Sequence, residues 1–338
     1  MKKQLLLFLS IITFACSEND EPQVQSSGNV FIINEGSFGA SNASIDIYNT
    51  TDTTYQLAAY KNTNGDFIGD VIQDVEIDNN IAYAVLNGSN RVVSFSLADL
   101  KTIDALQASV IDKPRYMTID GNKAYLTVWG PYGENYSLTD SKIVVIDLTT
   151  FEIESTIATE PGVEQILEHS GKLYVSRNYY GAYNNLTIID IASETILADL
   201  RIATGPDEIF VDNQNRVWVA CSSGALVEID TNTDNVSQTI NLNGEILSDV
   251  EFFEGKVYYY QGNAVKAVDL NSPKDETIID NVELGLPYAF SINPDNGDIY
   301  LGDGVAYGSE GEFIHYTSDG EFVAVFTSGI LPTQFIFR

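Results

Sequence analysis

Near its end the chain reads Leu331-Pro332-Thr333-Gln334-Phe335-Ile336-Phe337, a strand-length segment that opens on a proline and closes on apolar residues. Lys113-Pro114-Arg115-Tyr116-Met117 and Gly205-Pro206-Asp207-Glu208-Ile209 have the same form, and each is followed by three more strand-like stretches. The final segment has none after it. The first part of the sequence holds three such stretches with no leading partner: Val30-Phe31-Ile32-Ile33, Ser44-Ile45-Asp46-Ile47-Tyr48 and a stretch near residues 55–60. One four-stranded unit is therefore expected to be split between the two ends. Pairing the last strand with the first three would close the structure on itself and remove exposed sheet edges.

Between these ends the pattern repeats. An aromatic preceded by a small or apolar residue recurs at Ala82-Tyr83, Ala124-Tyr125, Leu173-Tyr174, Val217-Trp218, Val257-Tyr258 and Ile299-Tyr300, with steps of 42, 49, 44, 40 and 42 residues. Phe31 takes the same position in the split unit. A period of this length marks four-stranded propeller blades. Strand-length apolar runs are separated by Asn, Asp and Gly turns, and no segment shows a helical period. The third strands end alike, at Ile146-Asp147, Ile189-Asp190, Ile229-Asp230 and Val268-Asp269. An Asp there bonds the backbone two residues on and sets a turn. Asn293-Pro294-Asp295-Asn296-Gly297-Asp298 reads as a hairpin turn, because it lacks the spacing of a calcium loop. Complete units are expected to begin near Val71, Lys113, Gly162, Gly205, Leu247 and Leu286. With the split unit this gives an all-β, seven-bladed propeller over residues 29–338.

The chain has 338 residues, 44% of them apolar and 11% aromatic, which is too rich for a disordered protein. Length alone would fit two or three average domains, but all-β folds use this much chain as one. The formal net charge is −31. A field of that sign repels phosphate backbones and argues against nucleic-acid binding. It also repels anionic membranes unless an anchor overrides it.

The first residues read as that anchor. Lys2 and Lys3 precede an apolar run at residues 5–15, too short to span a bilayer and suited to a secretory leader. Thr13-Phe14-Ala15-Cys16 is similar to a bacterial lipoprotein box. Residues 1–15 are expected to be removed and Cys16 to be lipidated, with several acyl chains giving stable attachment. The competing reading is an ordinary secretory leader with an incidental Cys. Ser17-Glu18-Asn19-Asp20-Glu21 begins a polar, acidic tether over residues 16–28. With Cys16 lipidated, Cys221 has no disulfide partner, and a Cys-based metal site is not expected.

Antiparallel topology decides which residues share a face. With the first strand (A) of each blade innermost, the D-to-A connections and the B-to-C loops lie on one face, and the short A-to-B and C-to-D turns on the other. The first face carries the long loops: Trp129-Gly130-Pro131-Tyr132-Gly133-Glu134-Asn135-Tyr136, Arg177-Asn178-Tyr179-Tyr180-Gly181-Ala182-Tyr183, Gly302-Asp303-Gly304-Val305-Ala306-Tyr307-Gly308 and Asn34-Glu35-Gly36-Ser37-Phe38-Gly39. Rings in loops are not explained by core burial, and rigid Tyr and Trp side chains with a polar tip suit a broad amphipathic ligand. The expected ligand-binding set is Asn34, Phe38, Gln73, Arg115, Tyr116, Trp129, Tyr132, Tyr136, Glu164, Gln165, Tyr179, Tyr180, Tyr183, Asp207, Glu208, Tyr288 and Gln334. The competing reading has the tyrosines packing on one another to stiffen the loops. Arg115 either pairs with Glu164 or binds an anionic group.

Catalysis is the weaker expectation. His169 falls in an A-to-B turn and His315 within a C strand, so neither reaches the mouth for a triad or a metal. Glu164, Asp207, Glu208 and Asp249 are available as acid–base groups or as Ca²⁺ ligands, but acids are abundant throughout this chain. No catalytic residue, cofactor or metal site is assigned.

Leu173-Tyr174-Val175-Ser176-Arg177-Asn178 and Ala124-Tyr125-Leu126-Thr127 resemble the YVTN repeat of YncE-like seven-bladed propellers. Phe31-Ile32-Ile33-Asn34-Glu35-Gly36, Gly39 and Asn42-Ala43-Ser44-Ile45 resemble the opening of a Bacteroidota lipoprotein branch of that group. Pro114-Arg115-Tyr116 and Glu164-Gln165 also match. Some members capture cobalamin at the cell surface and sit as a lid on a TonB-dependent outer-membrane transporter. The resemblance implies an outer-membrane lipoprotein facing the exterior, which passes a corrinoid to such a transporter and touches the membrane only through its lipid. Protein or glycan binding, and a lyase or hydrolase using mouth carboxylates, are the alternatives.

Overall fold

The computed structural model describes residues 28–247 and 249–338. The expected leader, Cys16 and the tether before residue 28 lie outside them. Seven four-stranded antiparallel sheets form a ring. Blade 1 takes Pro332–Phe337 as its inner strand, then Asn29–Asn34, Ser44–Asn49 and the short Tyr55–Gln56 outward. Its joint runs in register from Val30↔Phe337 to Ile33↔Gln334, so the two ends of the chain are stitched as the sequence predicts. The inner strands of blades 2 to 7 are Ile72–Asp78, Pro114–Asp120, Val163–His169, Pro206–Val211, Val250–Phe253 and Pro287–Ile292.

Inner strands often start at proline: Pro114, Pro206, Pro287 and Pro332. The first residue of a strand is where a missing N–H is tolerated. In five of the seven blades the residue before the inner strand turns the chain inward through a left-handed conformation. Glycine does this freely at Gly162 and Gly205, whereas Val71, Lys113 and Leu331 do it against their side chains. The core lies between blades. The repeated aromatics Tyr83, Tyr125, Tyr174, Trp218 and Tyr300 are buried within it. The turn aspartates act as read from the sequence. Asp147, Asp230 and Asp269 accept the N–H of Thr149, Asn232 and Asn271 at 2.7–2.9 Å, while Asp190 reaches one residue further, to Ser193.

Blade 1 departs from expectation. The stretch expected as its outer strand pairs only over Tyr55–Gln56, and Ala59–Asn64 forms a short helix. Tertiary contacts impose that helix. Tyr60 is buried edge-on to Phe95 at 5.6 Å, Asn64 donates to Leu100 O at 2.7 Å, and buried Asp46 accepts the Ala58 N–H at 2.7 Å. His169 ends the inner strand of blade 4 at its hairpin with Lys172. His315 is buried, stacked on Tyr300 at 4.4 Å and bonded to Asp298 at 3.0 Å. Cys221 is buried and free.

Candidate functional site

The inner strands surround a channel with a cavity of about 220 Å³, lined by Gln73, Asp74, Glu76, Tyr116, Gln165, Glu208, Asp249, Glu251, Ser291 and Gln334 among others. Two neighbours on a strand that are two residues apart point the same way. That period places Glu76 beside Asp74 and Glu251 beside Asp249. Asp74, Glu76, Asp249 and Glu251 are all absent from the expected ligand-binding set, although period-2 spacing along the inner strands was the signal for them.

The inner edge of a propeller leaves backbone N–H groups without ladder partners, and side chains from the adjacent blade supply them. Asp74 accepts the Met117 N–H at 2.9 Å. Gln334 accepts the Val75 N–H at 2.9 Å and donates to Val75 O at 3.1 Å, which makes it a staple between the inner strands of blades 1 and 2. Gln165 donates to Glu208 at 3.0 Å. Crowding and burial push these acids toward their protonated forms. Burial raises Glu164 to about 7, with Arg115 opposing and Asp207 adding. Burial and Asp207 raise Asp249 to about 8, and burial raises Glu251 to about 7. Glu208 lies well above its ordinary value through burial and the neighbouring Asp249, Glu251 and Asp207. Asp74 and Glu76 are raised by burial, and Glu76 also by Asp74. Glu164, Asp249 and Glu251 exchange protons near neutrality, so they can donate a hydrogen bond to a ligand above them or accept one from it. Among the described residues no three His, Cys, Asp or Glu side chains are grouped to hold a metal ion.

Above the channel, on the rim of blades 3 and 4, an aromatic platform is built on Arg115. Its Nε donates to Glu164 at 2.8 Å and its Nη1 to Gln73, so both edges of the guanidinium are engaged. Gln73 also donates to the Tyr116 hydroxyl at 3.0 Å. The face of Arg115 lies 4.1 Å from the Trp129 ring. Trp129 is only 3% exposed and donates from Nε1 to Val163 O at 2.9 Å. It is thus a buried support and not the contact surface expected of it. Tyr179 and Tyr180 lie edge-on to it at 5.0 and 5.8 Å. Tyr180 is 86% exposed and Tyr136 75%. Tyr132 meets Tyr136 edge-on at 5.8 Å, and the Lys113 ammonium sits 4.4 Å over Tyr132. The Tyr179 hydroxyl donates to Tyr136 O at 2.5 Å and links the two loops. Consecutive residues Asn135–Tyr136 and Tyr179–Tyr180 all have φ between 46° and 58°. Left-handed backbone at bulky residues is strained, and such strain clusters at functional sites. Tyr183 packs on Gly162, where any Cβ would strike its ring.

Other expected residues fall elsewhere. Asn34 is fully buried and donates to Asp46 at 2.9 Å, inside a network that also takes the Tyr55 hydroxyl and the Gly329 N–H; it holds the closure joint and cannot touch a ligand. Tyr288 donates to Glu35, a partner the expected set lacks. Phe38 is exposed, on the loop of blade 1, and Tyr307 is exposed on the loop of blade 7. Those two blades lie across the ring from blades 3 and 4. Asp207 stands close enough to raise both Tyr116 and Glu164.

Residues 28–197, just over half of the chain, match the profile of a family described as "Domain of unknown function (DUF5074)". No curated protein matches the chain. Among solved structures, a quinonprotein alcohol dehydrogenase-like protein from Bacteroides thetaiotaomicron VPI-5482 is similar over 92% of this chain and 78% of its own, with a TM-score of 0.70 and 15% identity. At that identity the likeness extends to the fold alone.

Proposed function

The chain belongs to the DUF5074 family, and on that premise we propose that it is a YncE-like capture protein, anchored to the outer membrane through Cys16. In this reading the loop-rich face binds a broad amphipathic nutrient, cobalamin or another corrinoid, and passes it to a TonB-dependent transporter without chemical change. One observation carries it: Tyr136 and Tyr180 are held out in water on linked, strained loops over a buried Trp129–Arg115 stack. Exposed rings on rigid loops are costly unless something covers them. The cavity of about 220 Å³ is smaller than the roughly 300–1,000 Å³ of sites that enclose a drug-sized ligand. A corrinoid would therefore lie across the mouth, its flat face on the rings and its amide rim over the channel carboxyls. Arg115 is committed to Glu164 and Gln73, which speaks against an anionic group as the main determinant.

Titration calorimetry with cyanocobalamin and with cobinamide tests this. Saturable heat is expected from the unaltered protein, and Tyr136→Ala with Tyr180→Ala is expected to weaken binding about tenfold or more, equivalent to roughly 1.4 kcal/mol. The absence of heat with either compound would discard the corrinoid assignment. The exposed Phe38 and Tyr307 across the ring favour a second reading, in which the whole face meets a protein or glycan.

A further inference from the structure

The outer strands of a propeller are edge strands, each with a row of unpaired backbone groups, and proteins protect such edges with charged or polar side chains. Most outer strands here follow that rule. Thr102–Leu106 carries Asp104, and Glu152–Ala158 carries Glu152 and Glu154. Thr195–Arg201 carries Asp199 and Arg201, and Asp275–Ile279 carries Asp275 and Glu276. Asn235–Asn241 is rich in amides and hydroxyls. The outer strand of blade 7, Phe322–Thr327, has the sequence Phe-Val-Ala-Val-Phe-Thr and no charge or amide at all. Phe322 is 60% exposed, and Val323 and Val325 are exposed beside it. The strand is held firmly from within: Phe326 packs 5.1 Å from both Tyr48 and Tyr55, and Phe322 lies edge-on to Tyr316 at 5.9 Å. Its bulge opposite Tyr316 is the same device found in the outer pairs of the other complete blades, so it is blade geometry and not a special guard.

The sequence of this edge is palindromic about Ala324. We propose that Phe322–Thr327 is a self-association edge, on which a second copy of this chain pairs antiparallel about Ala324 and joins the two seventh blades into one continuous sheet. A two-fold contact must be self-complementary. In this register Phe322 meets Phe326, Val323 meets Val325 and Ala324 meets itself. Aromatic and β-branched cross-strand pairs of this kind stabilise sheets. Moving outward, Glu321 meets Thr327, Gly320 meets Ser328 and Asp319 meets Gly329, so no carboxylate faces another. That matters in a chain with a net charge of −31, whose copies repel one another over most of their surface. On the uncharged edge the strand itself adds no like charges, and pairing there covers Phe322, Val323 and Val325.

Sedimentation velocity of the full chain from about 1 to about 100 µM, a range that spans weak association, tests the proposal. The expected result is a concentration-dependent rise from monomer to dimer. Val323→Lys with Val325→Lys sets like charges against each other in the proposed register and is expected to abolish the dimer. Val323→Lys with Val325→Glu sets opposite charges together and is expected to retain it. Unchanged melting of both variants shows that the blade itself is intact. A protein that stays monomeric throughout, a dimer kept by both variants, or a dimer lost equally in both, would each overturn the proposal.

Discussion

The rim of blades 3 and 4 and the channel beneath it break the usual rules of placement in opposite directions. The rim holds large rings out in water, Tyr180 and Tyr136 foremost, whereas the channel crowds five carboxyls around one narrow cavity, Asp74 buried and Glu76, Glu208, Asp249 and Glu251 half-buried. Proteins depart from consistent design chiefly at functional sites. The two departures are linked through Arg115, which bonds Glu164 and stacks on Trp129, and both support the binding face proposed above. The opposite face is built of short turns closed by Asp147, Asp230 and Asp269, and its buried acid Asp212 is paired with Arg216 at 2.6 Å.

If the rim is a platform, its buried support and its exposed rings should respond very differently. Trp129→Ala removes a buried ring, its hydrogen bond to Val163 O and its stack on Arg115, and should cost about 3–5 kcal/mol in chemical denaturation. A loss near zero would mean that the loops do not rest on it. Arg115→Met cuts the link between the two regions. It leaves Glu164 buried without its partner, and at pH 8 the loss should approach about 3 kcal/mol. At pH 6 the loss should be smaller, because Glu164, already raised to about 7, then binds a proton. A cost independent of pH would contradict the coupling.

The channel acids set the sign of the pH dependence. Their folded-state pKa values, about 7 for Glu251 and about 8 for Asp249, lie above the values near 4 of the unfolded chain. The fold thus binds more protons than the unfolded chain between about pH 4 and pH 8, and its stability falls as pH rises across that window. At the acid end an opposing group takes over. Asp212, although burial pushes it up, is held below its ordinary value by hydrogen bonds from Arg216, Gln214 and Trp218, and its contribution is lost as pH falls below that ordinary value and through the lower folded one. Stability should therefore be greater at pH 5.5 than at pH 8.5. Asp249→Asn with Glu251→Gln should flatten the slope and add about 1–3 kcal/mol at pH 8. A flat or rising profile in the unaltered protein would contradict the crowding of the channel. The smallest effect should come from Tyr180→Ala, within about 0.5 kcal/mol of unaltered stability, so that any loss of ligand binding in that variant reports contact alone.

The ring and its closure were legible because strands have a period of two and hairpins punctuate them. The repeated aromatics and the unpartnered Leu331–Phe337 segment of residues 331–337 then left one way to complete the seventh blade. The helix Ala59–Asn64 was not legible, since six residues carry too little period and the fold there is set by Tyr60, Asn64 and Asp46 contacts distant in sequence. At the mouth, topology brought Gln73, Tyr116, Gln165 and Glu208 together on the channel lining, with Arg115 and Glu164 bonded beside Gln73. Which loop rings face water was beyond it. Trp129 and Tyr180 are alike on paper, yet one is buried beneath the other by loop conformations that depend on left-handed residues at 135, 136, 179 and 180. Asn34 was misread for a related reason: the end of its strand is covered by Gly329 and Asp46 from the joint.

The most direct measurement is a crystal structure of the protein grown with cyanocobalamin. The account predicts the corrin lying across the mouth, its face against Tyr136 and Tyr180 and its amides over the channel carboxyls, with Arg115 still gripped by Glu164. A corrin bound on the turn face or at the outer strands, or a mouth left empty at saturating ligand, would contradict it.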